Sequence, residues 1–170
     1  MSAPLVTKFS EKCVKATNNQ INAELTAGYV YHALSIYFSR HDVALPNVAA
    51  FFKRSSVEEQ EHAGKLIDYI SQRGGHVILS DIQAPKVTSV SLLQAFEKAL
   101  ALEKEVHKKI IALRELSDKE GEYHFTAYLE EEFLTEQVRA EHDLVSFITT
   151  IKRMGTGLGE ILFDRELVIK

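Results

Sequence analysis

The sequence predicts an all-α fold: four long helices in a bundle, one long crossover connection and a short fifth helix at the C-terminal end. Three observations lead there. Proline occurs only at positions 4, 46 and 85, so long intervals are free of the residue that breaks helices. Those intervals are rich in Ala, Leu, Glu, Lys and Gln, which favour helix. Within them, apolar residues recur at spacings of three and four, the pattern of one buried helical face.

The first helix is expected over about residues 10–39. The second covers about residues 46–73, with Pro46 near its first turn, where a missing N–H leaves nothing unpaired. Gly74 and Gly75 stop it. A turn signal, Ser117-Asp118-Lys119-Glu120-Gly121, separates the third helix, about 91–119, from the fourth, about 122–154. Gly155, Gly157 and Gly159 break the fourth, and residues 160–167 read as the fifth. Short connections make antiparallel hairpins of helices one and two and of helices three and four. The stretch 74–90 is much longer. A helix of about 28 residues spans roughly 42 Å, and a connection of that size can run the length of the bundle, leaving helices two and three parallel. With no internal repeat, residues 1–170 are expected to form a single domain.

Composition bounds the function. At 170 residues and 19.2 kDa, the chain is 45% hydrophobic and 26% charged, with a net charge of -4. Without a Lys/Arg-rich block, nucleic acid is not expected as a partner. No segment has the length of a membrane span, and the start of the chain has no apolar core of a secretion signal. Cys13 is the single cysteine and has no internal partner, so a reducing, cytoplasmic location is expected.

The helical stripes carry the chemistry. They run Ile21, Glu24, Gly28, Tyr31, Phe38 in the first helix and Val48, Phe52, Ser55, Glu59, His62, Leu66, Tyr69 in the second. In the third they run Leu92, Phe96, Ala99, Glu103, Val106, Ile110, Leu113, and in the fourth Phe133, Gln137, Ala140, Leu144, Phe147, Ile151. Each stripe holds a polar residue near its middle. A buried carboxylate costs several kcal/mol unless paired, and these stripes contain no Lys or Arg. Bound cations resolve the conflict. Glu24, Glu59, Glu103 and His62 offer hard oxygens and one imidazole, a donor set for Fe, Mn or Zn rather than soft copper. Glu59 and His62, three apart on one face, can reach a common metal, and a carboxylate can bridge two. The fourth helix has Gln137 and Ala140 where a second Glu-x-x-His would stand. The second metal position is therefore weak, suited to iron passing through as a substrate.

The segments QINAELTAGYVYHALS, SVEEQEHAGKL, QRGG, ALALEKE and YLEEEFLTEQV, with LFD near the end, resemble a eukaryotic heavy-chain-type ferritin over nearly the whole chain. The resemblance implies a ferritin-like bundle, an octahedral shell of 24 subunits open to co-assembly with other ferritin subunits, and ferroxidase activity. Such a subunit oxidises Fe(II) with dioxygen and stores the product as a ferric mineral. By the same resemblance the first iron site is Glu24, Glu59 and His62, and the second is Glu59 and Glu103 with Gln137 close by. Tyr31 orients a carboxylate, and Glu58 and Glu136 lie near the second site. Two departures stand out. One acidic ring of the three-fold pore is replaced by Ala127, leaving Glu130, and the internal nucleation patch keeps Glu58 and Glu61 but has Gly64 for its third acid.

Other readings are a non-catalytic co-assembling subunit, a di-metal enzyme that keeps both metals, and a cytokine-like helical protein. The ligands present, the Gln137/Ala140 pair and the missing secretion signal speak against them in turn. Glu141 and His142 diverge around the helix and are expected to be solvated or to line a shell. His32, His41, His76, His107 and His124 have no ligand spacing and are assigned to the surface or interfaces. Phe51 and Phe52 are assigned to packing. The fifth helix, too short to stand alone, must pack on something. By the resemblance it lies at a four-fold axis, with Leu158 and Leu162 making an apolar channel.

Overall fold

The computed structural model describes residues 8–167; Pro4 and the two ends of the expected 1–170 domain lie outside them. Every regular element among the described residues is helical. Helix α1 is Glu11–Phe38, α2 is Pro46–Gln72 and α3 is Leu92–Lys119. The expected fourth helix is divided into α4 (Tyr123–Leu129), a π-helical turn (Glu130–Leu134) and α5 (Thr135–Met154). Helix α6 is Leu158–Glu166. Residues 73–91 contain no regular element and join α2 to α3.

Side-chain pairs give the directions. Asn18 in α1 bonds the His76 carbonyl just past the end of α2, while Leu45, before α2, bonds back to Phe38, so α1 and α2 are antiparallel. Ser10 meets Glu120 and Tyr31 meets Glu103, which makes α1 antiparallel to α3. Tyr69 meets His124 and Lys65 meets Glu132, which sets α2 against the α4–α5 rod. Helices α2 and α3 are therefore parallel and need the long crossover.

The π-turn has a reason in the sequence. Phe125, Leu129, Phe133 and Gln137 are all buried and spaced by four. Each step of four drifts about 40° around an α-helix of 3.6 residues per turn, and three steps would carry Gln137 off the core face. One extra residue in the π-turn takes back about 100°. Gln137 thereby keeps facing the interior.

Apolar packing forms two clusters. One gathers Phe38, Phe52, Phe96, Leu144 and Phe163, the other Ile21, Leu66, Ile110, Phe125 and Phe133. Each fully buried side chain of this kind contributes about 1.5–3 kcal/mol relative to exposure. The buried polar residues of α1, α2, α3 and α5 belong to neither cluster.

Helix starts are secured in different ways. Ser91 and Gln94 form a reciprocal capping box on α3. Helix α2 has no local side-chain cap. Asp164 of α6 supplies it from across the molecule, accepting from the Val48 N–H at 2.9 Å and from Asn47 Nδ2 at 3.2 Å. Helix α6 begins at Leu158, so Gly159 is helical and does not interrupt it, whereas Gly155 (φ 72°) and Gly157 (φ 71°) make the turn. Phe163 packs its ring against Phe96 and Phe147, and Leu158, Ile161 and Leu162 are exposed.

Candidate metal centre

Glu24 comes from the middle of α1 and is fully buried, at 0% exposure. Glu59 and His62 come from α2, Glu103 from α3 and Gln137 from α5, and all are buried. One ligand atom from each of Glu24, Glu59 and His62 lies within 4.8 Å of the other two. The helices can approach this closely because residue 28 is glycine. A Cβ there would meet the Ser56 carbonyl at 3.2 Å and Glu59 Cβ at 3.3 Å, and Ser56 Oγ donates to the Gly28 carbonyl at 2.7 Å.

Two of the carboxylates are held by hydrogen bonds. Gln20 Nε2 donates to Glu24 Oε1 at 2.7 Å. Tyr31 Oη donates to Glu103 Oε1, and Gln137 Nε2 donates to Glu103 Oε2 at 2.8 Å and to its backbone carbonyl at 3.0 Å. His62 Nδ1 faces Glu59 Oε1 at 3.8 Å, and Nε2 faces Glu136 Oε2 at 3.1 Å. Both ring nitrogens of His62 thus face carboxylates, and Nδ1 is the one turned toward Glu59.

The electrostatics are those of a site short of positive charge. Burial pushes Glu24 well above the ordinary carboxylate range, and the neighbouring Glu59 adds to it. Burial, then Glu103, pushes Glu59 up to about 8. Glu24 Oε2 and Glu59 Oε2 find no hydrogen-bond partner among the described residues. Burial and the adjacent Glu103 also raise the Tyr31 phenol strongly. A divalent cation between them would satisfy both orphaned oxygens at once.

A cavity of about 720 Å³ reaches Glu59, His62, Glu103 and Gln137, with Glu58 and Glu136 also on its wall. Glu58 lies 3.3 Å from Arg54. Glu130 stands apart from this group: it is exposed and paired with Arg114 at 2.7 Å. Ala127 is exposed, and Gly64 has open space where a side chain would be.

Some functional neighbours were outside the sequence reading. Gln20 precedes Glu24 by one turn, so spacing alone could have found it. Lys65 lines the cavity, paired with Glu132 at 2.9 Å, a contact between helices that one-helix periodicity does not reveal. Glu141 is not a free solvated group: it meets His107 Nδ1 of the facing helix at 2.5 Å.

Fold and site together define a helical bundle whose interior gathers a carboxylate–histidine group able to hold a metal ion. Residues 14–154 match the model of the ferritin-like domain. A ferritin heavy chain of Echinococcus granulosus is 46% identical over 159 residues, covering 93% of this chain and 92% of that one. A soma ferritin of Lymnaea stagnalis is 45% identical over 150 residues, covering 88% and 86%. The ferritin-2 heavy chain of Schistosoma mansoni is 43% identical over 158 residues, covering 92% of each. The chain belongs to the ferritin family and is an iron-storage subunit. No helix among the described residues is long and apolar enough to cross a membrane.

Proposed function

We propose that the chain is a ferroxidase subunit, forming a single domain over residues 1–170, that works in the cytoplasm as part of a 24-subunit shell able to co-assemble with related subunits. The observation that carries the catalytic reading is the buried Glu24–Glu59–His62 group with its two unpartnered carboxylate oxygens. Iron is the substrate. Glu24, Glu59 and His62 take the first Fe(II), and Glu59 and Glu103 the second. Two Fe(II) give one electron each to dioxygen, which takes up two protons and leaves as hydrogen peroxide.

The residues around the metals have separate tasks. Tyr31 and Gln137 hold Glu103 from both sides, so its oxygens do not swing when a metal arrives. Gln137 gives the second iron no carboxylate, so the oxidised ion hydrolyses and moves on instead of staying as a fixed cofactor. Glu58 and Glu136 on the cavity wall receive it. Glu130 serves at the entry pore. The exposed Leu158 and Leu162 of α6 are covered where subunits meet.

Aerobic Fe(II) titration tests the reading. The wild type is expected to oxidise many irons per chain, and Glu24→Gln or His62→Ala to lose the fast phase. A protein that takes up two irons tightly and then stops would overturn it. Light scattering of the purified protein reads the shell: a mass near that of 24 chains is expected, and a monomer or dimer excludes it.

A further inference from the structure

A column of aromatic rings leads from the site to the surface. The His62 ring lies 5.6 Å from Phe133, centroid to centroid. Phe133 is 6.0 Å from Tyr128, and Tyr128 stacks on Tyr69 at 4.9 Å. Tyr69 stacks in turn on His124 at 5.8 Å. Phe133 and Tyr69 are buried and His124 is exposed. The rings come from α2, α4 and the π-turn, so the same extra residue that aims Gln137 inward also seats Phe133 between His62 and Tyr128.

Packing accounts for rings, but not for the chemistry at the outer end. Tyr69 Oη lies 3.0 Å from His124 Nδ1, and Arg73 Nη1 donates to the same Oη at 3.1 Å. With that oxygen accepting from Arg73, its own hydrogen is left for the imidazole. A phenol loses an electron at moderate potential only if its proton can leave with it, and imidazole is a base that takes the proton. Tyr128 has a poorer partner, the Lys65 backbone carbonyl at 3.3 Å, which cannot hold a proton. Oxidation passing through Tyr128 therefore comes to rest on Tyr69.

We propose that this column is a one-electron path through which Tyr69 reduces oxidants formed at the iron site. The proposal rests on the ferroxidase reading, which supplies both Fe(II) and hydrogen peroxide. Peroxide meeting a single Fe(II) takes one electron from it. The O–O bond breaks, leaving Fe(III), hydroxide and a hydroxyl radical. That radical takes one electron from Tyr69 through Tyr128, Phe133 and His62, and one proton from solvent, and becomes water. Tyr69 becomes a neutral phenoxyl radical, and its proton moves to His124 Nδ1. The oxidising equivalent is carried away from Glu24, Glu59 and His62 to a place where a small solution reductant can reach it.

The test mixes anaerobic, Fe(II)-loaded protein with hydrogen peroxide, freezes it within milliseconds and records electron paramagnetic resonance spectra. Wild type is expected to give a tyrosyl signal that narrows with ring-deuterated tyrosine and is removed by ascorbate. Tyr69→Phe should abolish it, and His124→Phe, which keeps a ring but removes the base, should cut its yield several-fold. Both variants retain the packing, and circular dichroism checks that they fold. A signal unchanged in Tyr69→Phe, or one lost only in Tyr31→Phe, overturns the path. Aerobic Fe(II) oxidation on the same samples separates the two readings. Normal oxidation without a peroxide-driven radical refutes the path alone; no oxidation by wild type refutes the ferroxidase reading and the path with it.

Discussion

Replacing Glu59 with glutamine should make the metal-free protein more stable while it destroys tight metal binding. The carboxyl is pushed from an ordinary 4.5 up to about 8, by burial first and Glu103 second. Its folded value lies above its unfolded one, so the stability it contributes is present below the unfolded value and is lost as pH rises through the folded one. At pH 7 the unfolded carboxyl is ionised and the folded one is mostly protonated. Folding then works against about 2.5 units at about 1.4 kcal/mol each, or about 3 kcal/mol. At pH 5 the same cost is under about 1 kcal/mol. Glutamine cannot ionise and escapes it. Melting in chelator should therefore show Glu59→Gln above wild type by roughly 5–10 °C at pH 7, with the gap shrinking steadily toward pH 5. A gap that does not change with pH, or a wild type that is the more stable at pH 7, would refute the reasoning.

Three further outcomes follow from named contacts. Asp164→Ala leaves the buried Val48 N–H without an acceptor and should cost about 1–2 kcal/mol. It should also open the 155–157 turn to protease; equal digestion rates would show that α6 is not held by this cap. Gly28→Ala puts a methyl group 3.2 Å from the Ser56 carbonyl and 3.3 Å from Glu59 Cβ, so α1 and α2 must part slightly beside the ligands. Metal affinity by calorimetry with Zn(II) should fall about tenfold, and an unchanged affinity would refute the packing argument. Ala127→Asp should speed iron entry in stopped-flow oxidation if the assembled shell feeds iron through a pore lined by this residue, and no gain in rate removes that idea.

Much of the bundle was open to reading because its causes are local. Three prolines, a Gly-Gly stop and a spacing of three and four determine where helices run, and the observed bounds of α1, α2 and α3 lie within about two residues of those expected. The site was legible for the same reason: Glu24, Glu59, His62, Glu103 and Gln137 sit on apolar stripes where charge has no business unless something satisfies it. The π-turn was not foreseen, although three successive steps of four in Phe125, Leu129, Phe133 and Gln137 carry its signal. Reading that drift requires knowing that all four are buried.

By itself, then, the order of residues determined the helices, their buried faces and which polar side chains those faces carry inward, because each depends on neighbours within a turn or two. Tertiary structure decided what no single helix contains. Glu136 faces Nε2 of His62, Gln20 and Gln137 divide the support of the two carboxylates they touch, and Asp164 caps a helix more than a hundred residues away. It also paired His107 with Glu141 and lined up Tyr69, Tyr128 and Phe133 behind His62. Hydrogen bonds and ring contacts need atoms within a few ångströms, and only packing brings together residues so far apart along the chain.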